Sequence, residues 1–221
     1  MAIVLVIIGL LLGGLLVPLS AQKEAQRRSD NEALLQQAVQ ALIGYAIVHG
    51  RLPCPDTDPL NSVTSGQENS CAQDNAKPYY GRLPWVTLGI DAEFDAWGDG
   101  TVAHTLRYAV HGAYVGPFAL DAESLASAGG RTLEIHTGSA DCGSGNNKVA
   151  TNVPAIVWST AKSDYSLPPA SADEVRNAAN DDCFVSRPPS SGTLGSFDDQ
   201  LVWVSAAILF NRMISAGNFV P

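Results

Sequence analysis

Four carboxylates crowd one short stretch, Asp91, Glu93, Asp95 and Asp99 in "IDAEFDAWGDG". Two carboxyl groups held a few ångströms apart can do acid–base work or cleave a glycosidic bond. An oxygen-rich turn also suits calcium, which prefers hard oxygen ligands, and Asp91, Asp95 and Asp99 are the candidate ligands. The glycine positions do not follow the EF-hand pattern, and "DTD" at 56–58 is only a fragment of one. The plainest reading of the cluster is a solvated turn.

Other chemistry has little to stand on. There is no GxSxG, and Ser196 in "LGSFDD" lacks the flanking glycine of a nucleophile elbow. His49, His104, His111 and His136 sit singly, without zinc-ligand spacing to any cysteine. No glycine-rich phosphate loop precedes a helix. Trp85, Trp97, Trp158 and Trp203 read as core residues. The expectation is a protein without catalytic residues, with calcium as the one candidate ligand.

Cys54, Cys71, Cys142 and Cys183 are well separated and form no CxxC pair. An even number of spaced cysteines behind an apolar N-terminus points to two disulfides in an oxidising compartment. Four cysteines allow three pairings, with four buried thiols as the other reading. The neighbouring pairs Cys54–Cys71 and Cys142–Cys183 are the expected ones, because each would staple a loop rich in Gly, Asn, Ser and Asp.

These residues need a scaffold, and 221 residues suffice for one domain plus an appendage. The first fifty residues balance Lys23, Arg27 and Arg28 against Glu24, Asp30 and Glu32. The formal charge of −9 therefore resides in residues 51–221. An acidic domain repels phosphate backbones, which argues against nucleic acid as a partner. Solubility is the plain role of that charge.

Ala2 to Leu19 carries no charge, and about twenty apolar residues can cross a bilayer as helix. Gly9 and Gly13 lie on one helical face, followed by Gly14, and small residues at that spacing let another helix approach closely. Pro18 removes a backbone donor and is expected to loosen the helix. A signal peptide is the rival reading, with "PLSAQ" as a cleavage site and release after Ala21, but the basic n-region is missing. Beyond the charged patch, Leu35, Val39, Leu42 and Ala46 form one helical stripe, widened by Leu34, Ala38, Ala41 and Tyr45. Gly50 and Pro53 end it. A single helix over 2–49 would be about 72 Å long.

Further on, 54–78 reads as a loop, and 101–110, 131–138, 153–160 and 199–206 read as strands. The segments 139–152 and 161–196 read as long loops, the second with a helical turn at 171–179. One helix followed by four strands predicts an α+β fold on an antiparallel sheet. The expected divisions are a stem at 1–22, its amphipathic continuation at 23–50 and a globular domain at 51–221.

"AIVLVIIGLLLGGLLVPL" with the polar helix behind it resembles the stem of type IV pilins and of the pseudopilins of type II secretion. "ALIGYAIVHGRLPCPD", "LPWVTLGIDAEFDAWGDG" with "LRYAV", and "FDDQLVWVSAAILFNRMISAG" are similar to segments of minor members of that group. Together they cover a little under half of the chain. The resemblance implies a pilin-like fold closed by a short C-terminal helix, and a structural subunit of a pilus or secretion filament. It implies an inner-membrane anchor, a periplasmic domain, and sibling subunits and an assembly machinery as partners. Some pseudopilins bind calcium near the sheet, but their ligands do not map residue by residue onto this chain. Family members carry a basic leader, a glycine cleavage site and a glutamate in the first turn of the mature stem. Met1 falls just after where that glutamate would stand, and the expectation is that it is an internal methionine of a longer product. Lys23, Arg27 and Arg28 would favour cytoplasm on the C-terminal side of the span, whereas the cysteines favour the opposite, and the cysteines weigh more.

Overall fold

The structure is a computed structural model that describes residues 2–74, 77–98, 100–116, 132–163, 171–191 and 195–217, with side chains from Ser20 onward. Helix α1, Ala2–His49, is followed by strand β1 (Pro78–Arg82), the short α2 (Trp85–Leu88) and β2 (Arg107–His111). Next come β3 (Leu133–His136), β4 (Lys148–Val153) and β5 (Ala155–Ser159). The short α3 (Ala172–Asn177), β6 (Cys183–Val185), β7 (Gln200–Val204) and α4 (Ala206–Ser215) complete the order.

The fold is α+β in three layers. An antiparallel sheet ordered β1-β2-β5-β7 lies in the middle. The stripe Leu35, Ala38, Val39, Leu42, Ile43 and Ala46 of α1 covers one face, joined by Leu209, Phe210 and Met213 of α4. Tyr108, Val110, Ala155, Val157 and Val204 meet them from the sheet. The alternate residues Ala109, Ile156 and Trp158 point the other way, onto Leu133, Ile135, Val153 and Phe184 of a second sheet. Side chains alternate across a strand, so a strand buried on both faces must be apolar throughout. That is why β5 reads "AIVW" without a break before Ser159, with every residue buried. α1 ends where Gly50 adopts a left-handed φ of 67° and its N–H bonds the Ala46 carbonyl at 2.8 Å.

The strand content corrects the sequence expectation of one four-stranded sheet. The strand expected at 131–138 forms as β3 but joins the second sheet, ordered β4-β3-β6, where β3 and β6 run parallel. The expected strand at 101–110 begins as a 3-10 turn at Val102–His104, and the strand proper starts only at Arg107. β4 and β6 lie within segments expected to be loops, and β1 has no counterpart among the expected strands. "KVATNV" is largely exposed and has no apolar period, while β6 is only three residues long. β1 contains Gly81, where a Cβ would stand 2.5 Å from the Asp56 carbonyl oxygen, so only glycine admits the crossing loop. The helical turn expected at 171–179 forms as α3.

The disulfides are Cys54–Cys71 and Cys142–Cys183, the neighbouring pairs, spanning 17 and 41 residues. The first folds the 54–78 loop against the end of α1. There Arg51 holds Glu68 through two bonds of 2.8 Å, and Tyr45 donates to the same carboxylate at 2.7 Å. Burial opposes the Glu68 charge, but these bonds and the Cys54 N–H outweigh it and leave the carboxyl below its usual range. Burial and the Glu68 carboxylate push the Tyr45 phenol up to about 12.

Leu42 is fully buried under the sheet, and Leu42→Ala is expected to cost about 2–5 kcal/mol of stability in urea denaturation. Replacing Cys54 and Cys71 together by serine is expected to cost about 3 kcal/mol by the same measurement.

Candidate functional site

The carboxylates singled out in the sequence part company in the fold. Asp91 is exposed and Asp95 is buried, while Asp99 lies outside the described residues. Asp95 is the anchor of a turn. Its Oδ1 accepts the Trp97 N–H two residues on, at 2.9 Å, and its Oδ2 accepts the Ser159 hydroxyl at 2.6 Å. His104 Nδ1 stands 3.4 Å from Oδ1. Burial raises the Asp95 carboxyl above its ordinary value, against the opposing effect of these donors. A serine becomes nucleophilic when a base takes its proton, and here the carboxylate, not the imidazole, contacts Ser159. The arrangement clasps the turn: Trp97 Nε1 donates to Glu24 Oε2 of α1 at 3.3 Å, so the "DAWG" loop is tied to the helix.

Gly9, Gly13, Gly14 and Pro18 fall in the helical span of α1, but their side-chain surroundings lie outside the described residues. Among the described residues no helix is long and apolar enough to cross a membrane. The two disulfides point to an extracytoplasmic location.

A different acidic group is assembled where α3 meets the start of β7. Ser171 caps α3: its hydroxyl accepts the Glu174 N–H at 3.2 Å, and Glu174 Oε2 accepts the Ser171 N–H at 3.1 Å. That box fixes Glu174 pointing inward, where its Oε1 accepts the Asp198 N–H at 3.2 Å. One turn later, Asn177 donates to Asp199 Oδ2 at 2.7 Å. Glu174, Asp198 and Asp199 thus bring carboxylate oxygens within 4.8 Å of one another, and each residue is over nine-tenths buried.

Among the described residues no cation forms a salt bridge with any of the three. Asp198 Oδ2 accepts the Ser163 hydroxyl at 2.9 Å, while its Oδ1 is buried without a partner. Burial raises all three carboxyls, with Asp199 well above its usual range. Asp198 adds to the rise at Glu174, Glu24 at Asp198, and both Glu174 and Asp198 at Asp199, while Arg187 and Arg28 oppose it at Glu174 and Asp198. Three buried carboxylates cannot all stay ionised without a compensating charge. The group can keep protons at neutral pH, or its hard oxygens can hold a cation such as calcium. Among the described residues it is the one group of ligand-type side chains close enough to share an ion.

Glu174, Asp198 and Asp199 are not among the residues the sequence marks as candidate ligands. The S-x-x-E pattern of 171–174 and the paired acids before an apolar strand were both legible; their convergence across 24 residues was not. Comparison of the chain with known protein families, characterised proteins and solved structures finds no match.

The raised carboxyls bind protons more tightly in the folded than in the unfolded state. Stability is therefore expected to fall as pH rises from the ordinary carboxylate range of about 4 through the raised folded values. Asp199→Asn removes the carboxyl that burial raises well above its usual range, and is expected to add roughly 1 kcal/mol at pH 8 and little at pH 4. Urea denaturation at the two pH values, with and without calcium, measures both effects.

Proposed function

We propose that this chain is a structural subunit of the pilin or pseudopilin kind. In this reading the apolar run of 2–22 holds the subunit in the inner membrane and then packs among the stems of sibling subunits. The acidic, disulfide-stapled domain stays on the periplasmic side and decorates or caps the filament. The observation that supports it best is the build of α1. It runs unbroken from Ala2 to His49, uncharged at its start, and lays its C-terminal part on the sheet.

A stem exchanging lipid for neighbouring stems gains no hydrophobic free energy, since lipid tails are as apolar as leucine. Close packing must supply the attraction, which is the role assigned to Gly9 and Gly13. The rival, a binding domain released after Ala21, needs an accessible cleavage site. Ala21 sits within the helix, not in an extended segment.

Gly9→Asp and Gly13→Leu are expected to abolish recovery of the chain in sheared filament or cross-linked assembly fractions. The domain should keep both disulfides, as measured by mass spectrometry under non-reducing conditions. Normal incorporation of both variants, or a native product whose first residue is Gln22, would sink the reading.

A further inference from the structure

The two sheets have four outer strands, and three of them are closed. Outside β1, Asp56 and Arg82 exchange two backbone bonds of 3.0 and 2.8 Å. Outside β6, the Asn177 carboxamide donates to the Val185 carbonyl at 3.1 Å and accepts its N–H at 2.7 Å. β4 shifts register twice against β3, begins at Lys148 and places Asn152 at a φ of 53°. Bulges, lysine and irregular backbone all spoil an edge as a template for further pairing.

β7 has none of these devices. Gln200–Val204 holds no charge and no proline, and its first four residues are half-buried. Among the described residues no hydrogen bond reaches its backbone from outside the pairing with β5. One kind of occupant satisfies such a row of amides and carbonyls along its length, and that is another extended chain.

The surroundings specify its chemistry. A cavity of about 210 Å³ opens beside Asp199–Val202, between Glu32 of α1 and Arg187. Arg187 is matched by Asp173 at 2.7 Å, and Asp199 is held by Asn177. Glu32 is exposed and has no bond or salt bridge among the described residues, so this end presents unmatched negative charge. A second cavity of about 230 Å³, at the other end of β7, is lined by Val153, Trp203 and Ala206 and carries no charge. Both volumes fit a side chain and fall below the roughly 300 Å³ of a small-molecule pocket.

We propose that the open edge of β7 receives an extended segment of another protein by strand addition. A lysine or arginine of that segment lies against Glu32, and an aliphatic residue fills the cavity beside Trp203. A second copy of this chain fits poorly, because its own β7 offers no basic residue and its net charge of −9 repels. The inference is independent of the stem: a chain that never joined a filament would keep this edge.

The test is a titration of the full-length, ¹⁵N-labelled chain in detergent micelles with two blocked peptides. They are Thr-Lys-Thr-Val-Leu-Thr-Thr and its reverse, which place the lysine and the leucine on opposite faces and together cover both strand directions. Millimolar peptide is expected to shift the amides of Leu201, Val202 and Trp203, and N-methylation of the peptide valine should abolish the effect. Glu32→Lys should weaken binding by about threefold, and a peptide with Glu in place of Lys should restore it. No shift at β7 with either peptide, or shifts confined to another surface, overturns the proposal. So does self-association of the unaltered chain in sedimentation that Leu201→Lys removes, because the edge then belongs to a second copy.

Discussion

Leu35, Ala38, Val39, Leu42, Ile43 and Ala46 meet one face of the main sheet, and the rest of the domain is arranged around that contact. Full burial of each large aliphatic side chain contributes about 1.5–3 kcal/mol, an upper estimate because unfolded chains already bury some surface. A sheet has two faces, however, and α1 covers only one. Ala109, Ile156 and Trp158 are left pointing away, and they require the second sheet with Leu133, Ile135 and Phe184. The helix thus determines which face is occupied, and the opposite face determines that three more strands must exist.

Polar groups at the seams between layers set register where apolar packing leaves it loose. Asn31 is fully buried; its amide donates to Gln200 at 2.7 Å, and the Gln200 amide donates to the Arg28 carbonyl at 3.1 Å. A buried carboxamide without its partner costs about 1–3 kcal/mol, so sliding α1 by one turn is penalised. The loop that Asp95 clasps bonds the same face of the helix, through Trp97 to Glu24 and through the Ala96 N–H to Asn31. The carboxyls of Glu174, Asp198 and Asp199 behave differently. They dock α3 onto β7 through backbone and amide donors, and among the described residues none of them forms a salt bridge.

The closing of edges follows the same economy of contacts. A single side chain, Asn177, bonds the acidic group through Asp199 and also caps the outer strand of the second sheet at Val185. Asp56 does comparable work at β1, where its carboxylate also meets Arg82 at 2.7 Å in a buried pair. With those edges closed, β7 remains as an uncharged outer strand beside α1.

The sequence by itself determined what depends on local period and composition: the amphipathic stripe of α1, its stop at Gly50, three of the four main-sheet strands and the loops each disulfide staples. The capping box at Ser171–Glu174 was equally local. Only the tertiary structure decided what depends on contacts between distant segments. "KVATNV" became a strand because β3 needed a neighbour, and "LEIH" left the main sheet because its apolar residues were wanted on the far face. Asp95 turned inward to serve Trp97 and Ser159, whereas Asp198 and Asp199 met Glu174. No periodicity encodes such meetings, since burial of a charge is set by what the chain brings over it and not by its neighbours in sequence.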